Sequence, residues 1–120
     1  MRKFAFRLQK VLEFREQCEQ RAEDQYRSAQ ARRIEAESGR SFFVQCRDVA
    51  LGTPCPQVDQ RCALERYMER LDDEARAHEV IIAMLVSEEE AARQEWLARR
   101  SDAEAMRKLR EHAWMEWRLE

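Results

Sequence analysis

Two long stretches of the chain place small and apolar residues in alternating steps of three and four. The first runs Leu8, Val11, Arg15, Cys18, Ala22, Gln25, Ala29, Arg32, Ala36, Gly39, Phe43 and Cys46. The second runs Leu64, Met68, Leu71, Ala75, His78, Ile82, Leu85, Glu89, Ala92, Trp96, Arg99, Ala103, Met106, Arg110, Ala113 and Trp117, and twelve of these sixteen positions are apolar. A mean step of 3.5 keeps one stripe of a helix facing a partner, which is the coiled-coil signature. Neither stretch contains a proline or the strict alternation of a strand. The pattern predicts an all-α fold of two helices, the first weaker in its seam than the second.

One segment interrupts the pattern. Leu51-Gly52-Thr53-Pro54-Cys55-Pro56 holds both prolines and one of the two glycines. Each proline removes a backbone donor and pushes the residue before it out of the helical region. The spacing therefore predicts helix one over about 3–50, a turn over about 51–57 and helix two over about 58–119, with Asp59, or Thr53 ahead of Pro54, as the cap of helix two. At 1.5 Å per residue these helices would be roughly 70 and 93 Å long. A short connection forces them antiparallel, giving a two-helix antiparallel coiled-coil hairpin with a longer C-terminal helix. If the turn centres near Thr53, numbers of facing residues add to roughly 107. Ala22, Ala29, Ala36 and Gly39 then fall opposite Leu85, His78, Leu71 and Met68, small against large as close packing requires. The same register leaves helix two overhanging beyond about Ala103, with Met106, Trp114, Met115 and Trp117 unpaired and suited to a partner. The alternative is a tail packed on Phe4 and Phe6.

Composition narrows the functional classes. A chain of 120 residues makes one domain at most. Charged residues form 38% of it, yet the net charge is −2 and the hydrophobic share 44%, which argues against disorder and against a strongly basic nucleic-acid surface. The longest apolar run, Val80 to Val86, is far short of a bilayer span. The opening residues lack the apolar core of a signal peptide, so the four cysteines are expected as reduced thiols in the cytoplasm. Cys46 and Cys62 would face each other in the 107 register, but the cysteine spacings do not fit zinc ligands. A two-helix hairpin offers no pocket for converging catalytic groups, there is no phosphate-binding glycine loop, and the carboxylates are spaced as ordinary salt-bridge faces. The expectation is a non-enzyme with no cofactor and no metal.

Both ends of the chain carry a resemblance. Phe4-Ala-Phe-Arg-Leu-Gln-Lys-Val-Leu-Glu-Phe-Arg-Glu16, followed by Glu19 and Ala22, resembles the start of FliJ proteins, coiled-coil components of the bacterial flagellar type III export apparatus. Glu88-Glu-Glu-Ala-Ala-Arg-Gln-Glu-Trp-Leu-Ala98, with Lys108-Leu-Arg-Glu111 and Glu116-Trp-Arg118, is similar to the family's C-terminal helix. The resemblance covers about half the chain. It implies a cytoplasmic rod that inserts into the export ATPase ring, contacts the cytoplasmic domain of the export gate protein and escorts export chaperones, reaching the inner membrane only through those partners. The paired ends, with Met106, Trp114 and Trp117, would serve the ring. Tyr67, Leu71 and His78 match the family's gate-binding pattern on helix two, with Phe42 or Phe43 as the contribution of helix one. Glu74 stands where that pattern has a small residue. The equivalent stalk of a virulence-type injectisome shares this architecture, and an unrelated coiled-coil adaptor shares much of the composition.

Overall fold

The structure, a computed structural model, describes residues 2–120. Helix α1 spans Gln9–Leu51 and α2 spans Val58–Leu119, 43 and 62 residues. The fold is an all-α antiparallel helical hairpin. Helix α1 begins at Gln9 and not near residue 3, because residues 2–6 run without regular structure before a turn at Arg7 and Leu8. The first bonds there are Gln9 N to Phe6 O at 3.1 Å and Leu12 N to Leu8 O at 3.0 Å.

The connection is tied down from both sides. Gly52 N donates to the carbonyls of Asp48 and Val49, Thr53 N donates to Ala50, and the Thr53 hydroxyl donates to Val49 O at 3.0 Å. These groups take up carbonyls that a helix end leaves orphaned. Thr53 thus closes α1 instead of opening α2. Helix α2 starts after Gln57, whose carbonyl accepts from Arg61 N, and Asp59 sits inside its first turn, where a carboxylate suits the helix dipole. Arg61 also donates to the carbonyls of Cys55 and Pro56, holding the proline segment beside the start of α2.

Packing divides the chain into two compact units, each containing part of both helices. One is Ala29–Glu88, and the other joins the segment through Ser28 to Glu89–Glu120.

In the Ala29–Glu88 unit the interior is made by Ala29, Ala36, Phe43 and Ala50 of α1 against Leu71, Ala75, His78, Ile82 and Leu85 of α2. Arg40 pairs with Glu79 at 2.8 Å, Arg47 with Asp72 at 2.6 Å and Arg32 with Glu88 at 3.7 Å, so facing numbers add to 119 or 120. The expected 107 register is therefore wrong by more than three turns' worth of sequence difference. The cause is the start of α2: Val58–Ala63 are all exposed and the proline segment lies alongside, so pairing with α1 begins only near Leu64. Gly39 consequently meets His78, not Met68. Cys46 lies beside Leu64 and Tyr67 and does not face the exposed Cys62; all four cysteines are free.

In the other unit facing numbers add to between 117 and 122, again far from 107. Arg110 Nε donates to Gln9 Oε1 at 3.0 Å, Arg15 donates to the Asp102 carbonyl, and Phe4 packs on Trp117 with ring centroids 5.8 Å apart. Leu12, Ala22, Ala103 and Met106 are buried, and Ala103 is 0% exposed. This overturns the expected overhang beyond Ala103. Once the register moves by about twelve, the end of α2 has residues 2–12 to pack against, and the alternative with Phe4 on the tail is what forms.

Candidate functional site

Among the described residues no group of three or more His, Cys, Asp or Glu is placed to hold a metal ion. The candidate surfaces are apolar side chains that the hairpin seam leaves outside. Each unit carries its own set.

In the Ala29–Glu88 unit, Phe42, Cys46, Val49 and Ala50 of α1 and Leu64 and Tyr67 of α2 line an open groove of about 400 Å³ close to the turn. Phe42 and Val49 are strongly exposed and Tyr67 is exposed at 39%. The Arg70 guanidinium lies 5.9 Å from the Tyr67 ring centre, a cation over an aromatic face. The residues named by the family pattern separate into two roles. Tyr67 is presented to solvent, whereas Leu71 is buried in the seam and is not available as a contact. His78 is half-buried, 5.1 Å from Phe43, whose ring meets Phe42 edge-on. Its Nδ1 is 3.0 Å from the Glu74 carbonyl, an acceptor, so Nδ1 carries the proton and Nε2 points at Gly39. A Cβ on Gly39 would come within 2.9 Å of that Nε2, which is why a helix interior tolerates glycine here. Glu74, at the position where the family pattern has a small residue, contributes its backbone carbonyl to this arrangement.

The same unit has an apolar patch that the seam reading missed. The run Val80 to Val86 wraps all sides of α2. Ile82 and Leu85 turn inward, while Val80, Ile81, Met84 and Val86 stay exposed. The signal was present, since a helix cannot bury seven consecutive apolar residues on one stripe.

At the unit containing both chain ends, the site residues again divide. Met106 is 4% exposed and lies under α1, so it supports the pairing and does not face a partner. Trp117 is half-buried on Phe4, with the Arg2 guanidinium 4.8 Å from its ring centre. Trp114 remains exposed at 39%, with Arg118 over its ring, and Leu109, Met115 and Leu119 are exposed beside it. Phe14 is exposed on α1. Arg107 bonds Glu19 at 2.7 Å and lies 3.9 Å from Glu16. The hydrogen bond to Glu19, with the charges of Glu19, Glu16 and Glu104, holds this guanidinium above its ordinary range. Inside the unit Tyr26 stacks against Trp96 at 5.6 Å, and the Trp96 indole N–H is buried without an acceptor.

Comparison finds no match to the chain among family models, curated proteins or solved structures.

Proposed function

We propose that this chain is a non-enzymatic coiled-coil component of the flagellar type III export apparatus, binding the export ATPase ring and the export gate and escorting export chaperones. The observation that carries this reading is the placement of the two sequence blocks that resemble FliJ proteins. The block from Phe4 to Glu16 and the bulk of the block ending at Arg118 fall in one unit and pack on each other through Phe4 and Trp117, Gln9 and Arg110, and Glu16, Glu19 and Arg107. Stalk insertion needs such a paired end, and this one presents Trp114, Met115, Leu109 and Phe14 outward. The gate-binding role falls to Tyr67 with Phe42, while Phe43 and His78 shape the surface behind them and Leu71 holds the seam. On this reading the chain works in the cytoplasm and reaches the inner-membrane face only through partners; no helix among the described residues is long and apolar enough to cross a membrane.

Binding to the assembled flagellar export ATPase and to the gate's cytoplasmic domain, measured by interferometry, tests this. The intact chain should bind the ring, Trp114→Ala with Met115→Ala should weaken ring binding by about tenfold or more, and Phe42→Ala with Tyr67→Ala should weaken gate binding alone. Absence of ring binding by the intact chain would sink the export reading. Binding to an injectisome ATPase but not the flagellar one would move the chain to that system.

A further inference from the structure

Two turns of α2 near its end are covered by something other than a helix. Residues 2–6 lie without regular structure along the Leu109, Ala113 and Trp117 stripe, which is spaced at four like any helix face. Their attachment is concentrated at few points. The Arg2 guanidinium donates to the Trp117 carbonyl at 2.6 Å while lying over the Trp117 ring. Phe4 packs on Trp117 from beside it, and Arg110 holds Phe4 and Gln9 together. Lys3, Ala5 and Arg7 are exposed, and a space of about 380 Å³ stays open among Phe4, Phe6, Leu8, Leu109, Ala113 and Trp117.

Two physical consequences follow. The last carbonyls of a helix lack partners and sit at the negative end of its dipole. A cation from the far end of the same chain, meeting the carbonyl of Trp117 alongside Glu120 N, caps the helix end. The covering segment is also poorly packed for its length, since the space beneath it forgoes dispersion contacts that a fitted helix would make. At Arg7 and Leu8 the packing changes abruptly, from this loose cover to the close seam of Leu12, Ala103 and Met106.

We propose that residues 2–8 are a hinged strap. Closed, the strap caps α2 through Arg2 and covers the Ala113 and Trp117 part of the Leu109–Ala113–Trp117 stripe through Phe4, while Leu109 stays half outside. Open, it pivots at Arg7 and Leu8, leaves the helix seam intact and bares that stripe, so it sets how much apolar surface this end of the chain presents. The test needs no partner and is decided separately from the export reading.

Hydrogen exchange of the full chain, followed by mass spectrometry with the dye 8-anilinonaphthalene-1-sulfonate as an apolar probe, separates the possibilities. In the variant carrying Arg2→Ala and Phe4→Ala, amides of residues 110–118 should exchange about tenfold faster, as loss of an aromatic pair worth up to roughly one decade implies. Dye binding should rise, and amides around Leu12 and Ala103 should keep their parental rates. The strap is overturned if residues 110–118 exchange equally fast in the parent and the variant. It is also overturned if the amides around Leu12 and Ala103 accelerate by the same factor, because residues 2–8 would then belong to one cooperative unit with the seam.

Discussion

Gly39 and His78 form the most specific pair in the seam. A glycine inside a helix costs about 1 kcal/mol relative to alanine, so its presence between Ser38 and Arg40 needs a reason. The ring of His78, fixed by its bond to the Glu74 carbonyl and by Phe43, takes the volume a Cβ would need. Gly39→Ala should therefore lower stability in the parent chain, because the ring must leave its place. In a His78→Ala background the same substitution should raise stability by about 1 kcal/mol. A double-mutant cycle by urea unfolding reads this directly, and equal effects in the two backgrounds would remove the steric explanation. The sequence flagged both residues as seam positions but paired Gly39 with Met68, because nothing in either residue alone states which partner it meets.

The two helices were not equally legible. On α2 every seam position read from the heptad lies at least partly inward except Arg110, which turns out to bond Gln9 and cover Phe4. Large residues such as Leu71, Leu85, Trp96 and Met106 leave little ambiguity about the inward stripe. On the first helix the positions seven apart from Leu8 through Ala22, Ala29 and Phe43 were right, as were Cys18, Gly39 and Cys46, but three intermediate ones slip by one. Leu12 is buried and Val11 is exposed, Tyr26 is inward and Gln25 outward, Arg33 inward and Arg32 outward. Many inward positions of α1 are small or polar, Ala22, Ala29, Ala36 and Gly39 beside Arg15 and Arg33, so their own hydrophobic signal is weak and only the facing helix decides between neighbours. Close approach makes small residues costly to enlarge on either helix. Ala103→Leu, at a position with no exposed area beside the buried Leu12 and Met106, should cost about 1–3 kcal/mol by overpacking. Ala91→Leu on the exposed side should stay within about 0.5 kcal/mol, and a comparable loss from both would contradict the packing.

For the whole molecule, the direction of the helices and the identity of the fold followed from pattern, but the register did not. The proline segment looked like a tight turn. It is instead an extended stretch held against the first turns of α2 by Arg61, and this shifts every facing pair. Charge then reinforces the shifted register within each unit. In Ala29–Glu88 the cations Arg32, Arg40 and Arg47 of α1 reach acids of α2, whereas in the other unit Arg107 of α2 reaches Glu16 and Glu19 of α1. Exposed pairs of this kind contribute about 0–1 kcal/mol each, so their larger effect is to disfavour slipped pairings. The functional reading depends on this register, because it decides that the chain's two ends pack together and that Tyr67 stands beside Phe42. Cross-linking in a chain with its four cysteines replaced by alanine tests it most directly. Arg40→Cys with Glu79→Cys should join efficiently through a short bis-maleimide, while Arg40→Cys with Tyr67→Cys, the pairing of the 107 register, should not. The reverse result would contradict the account.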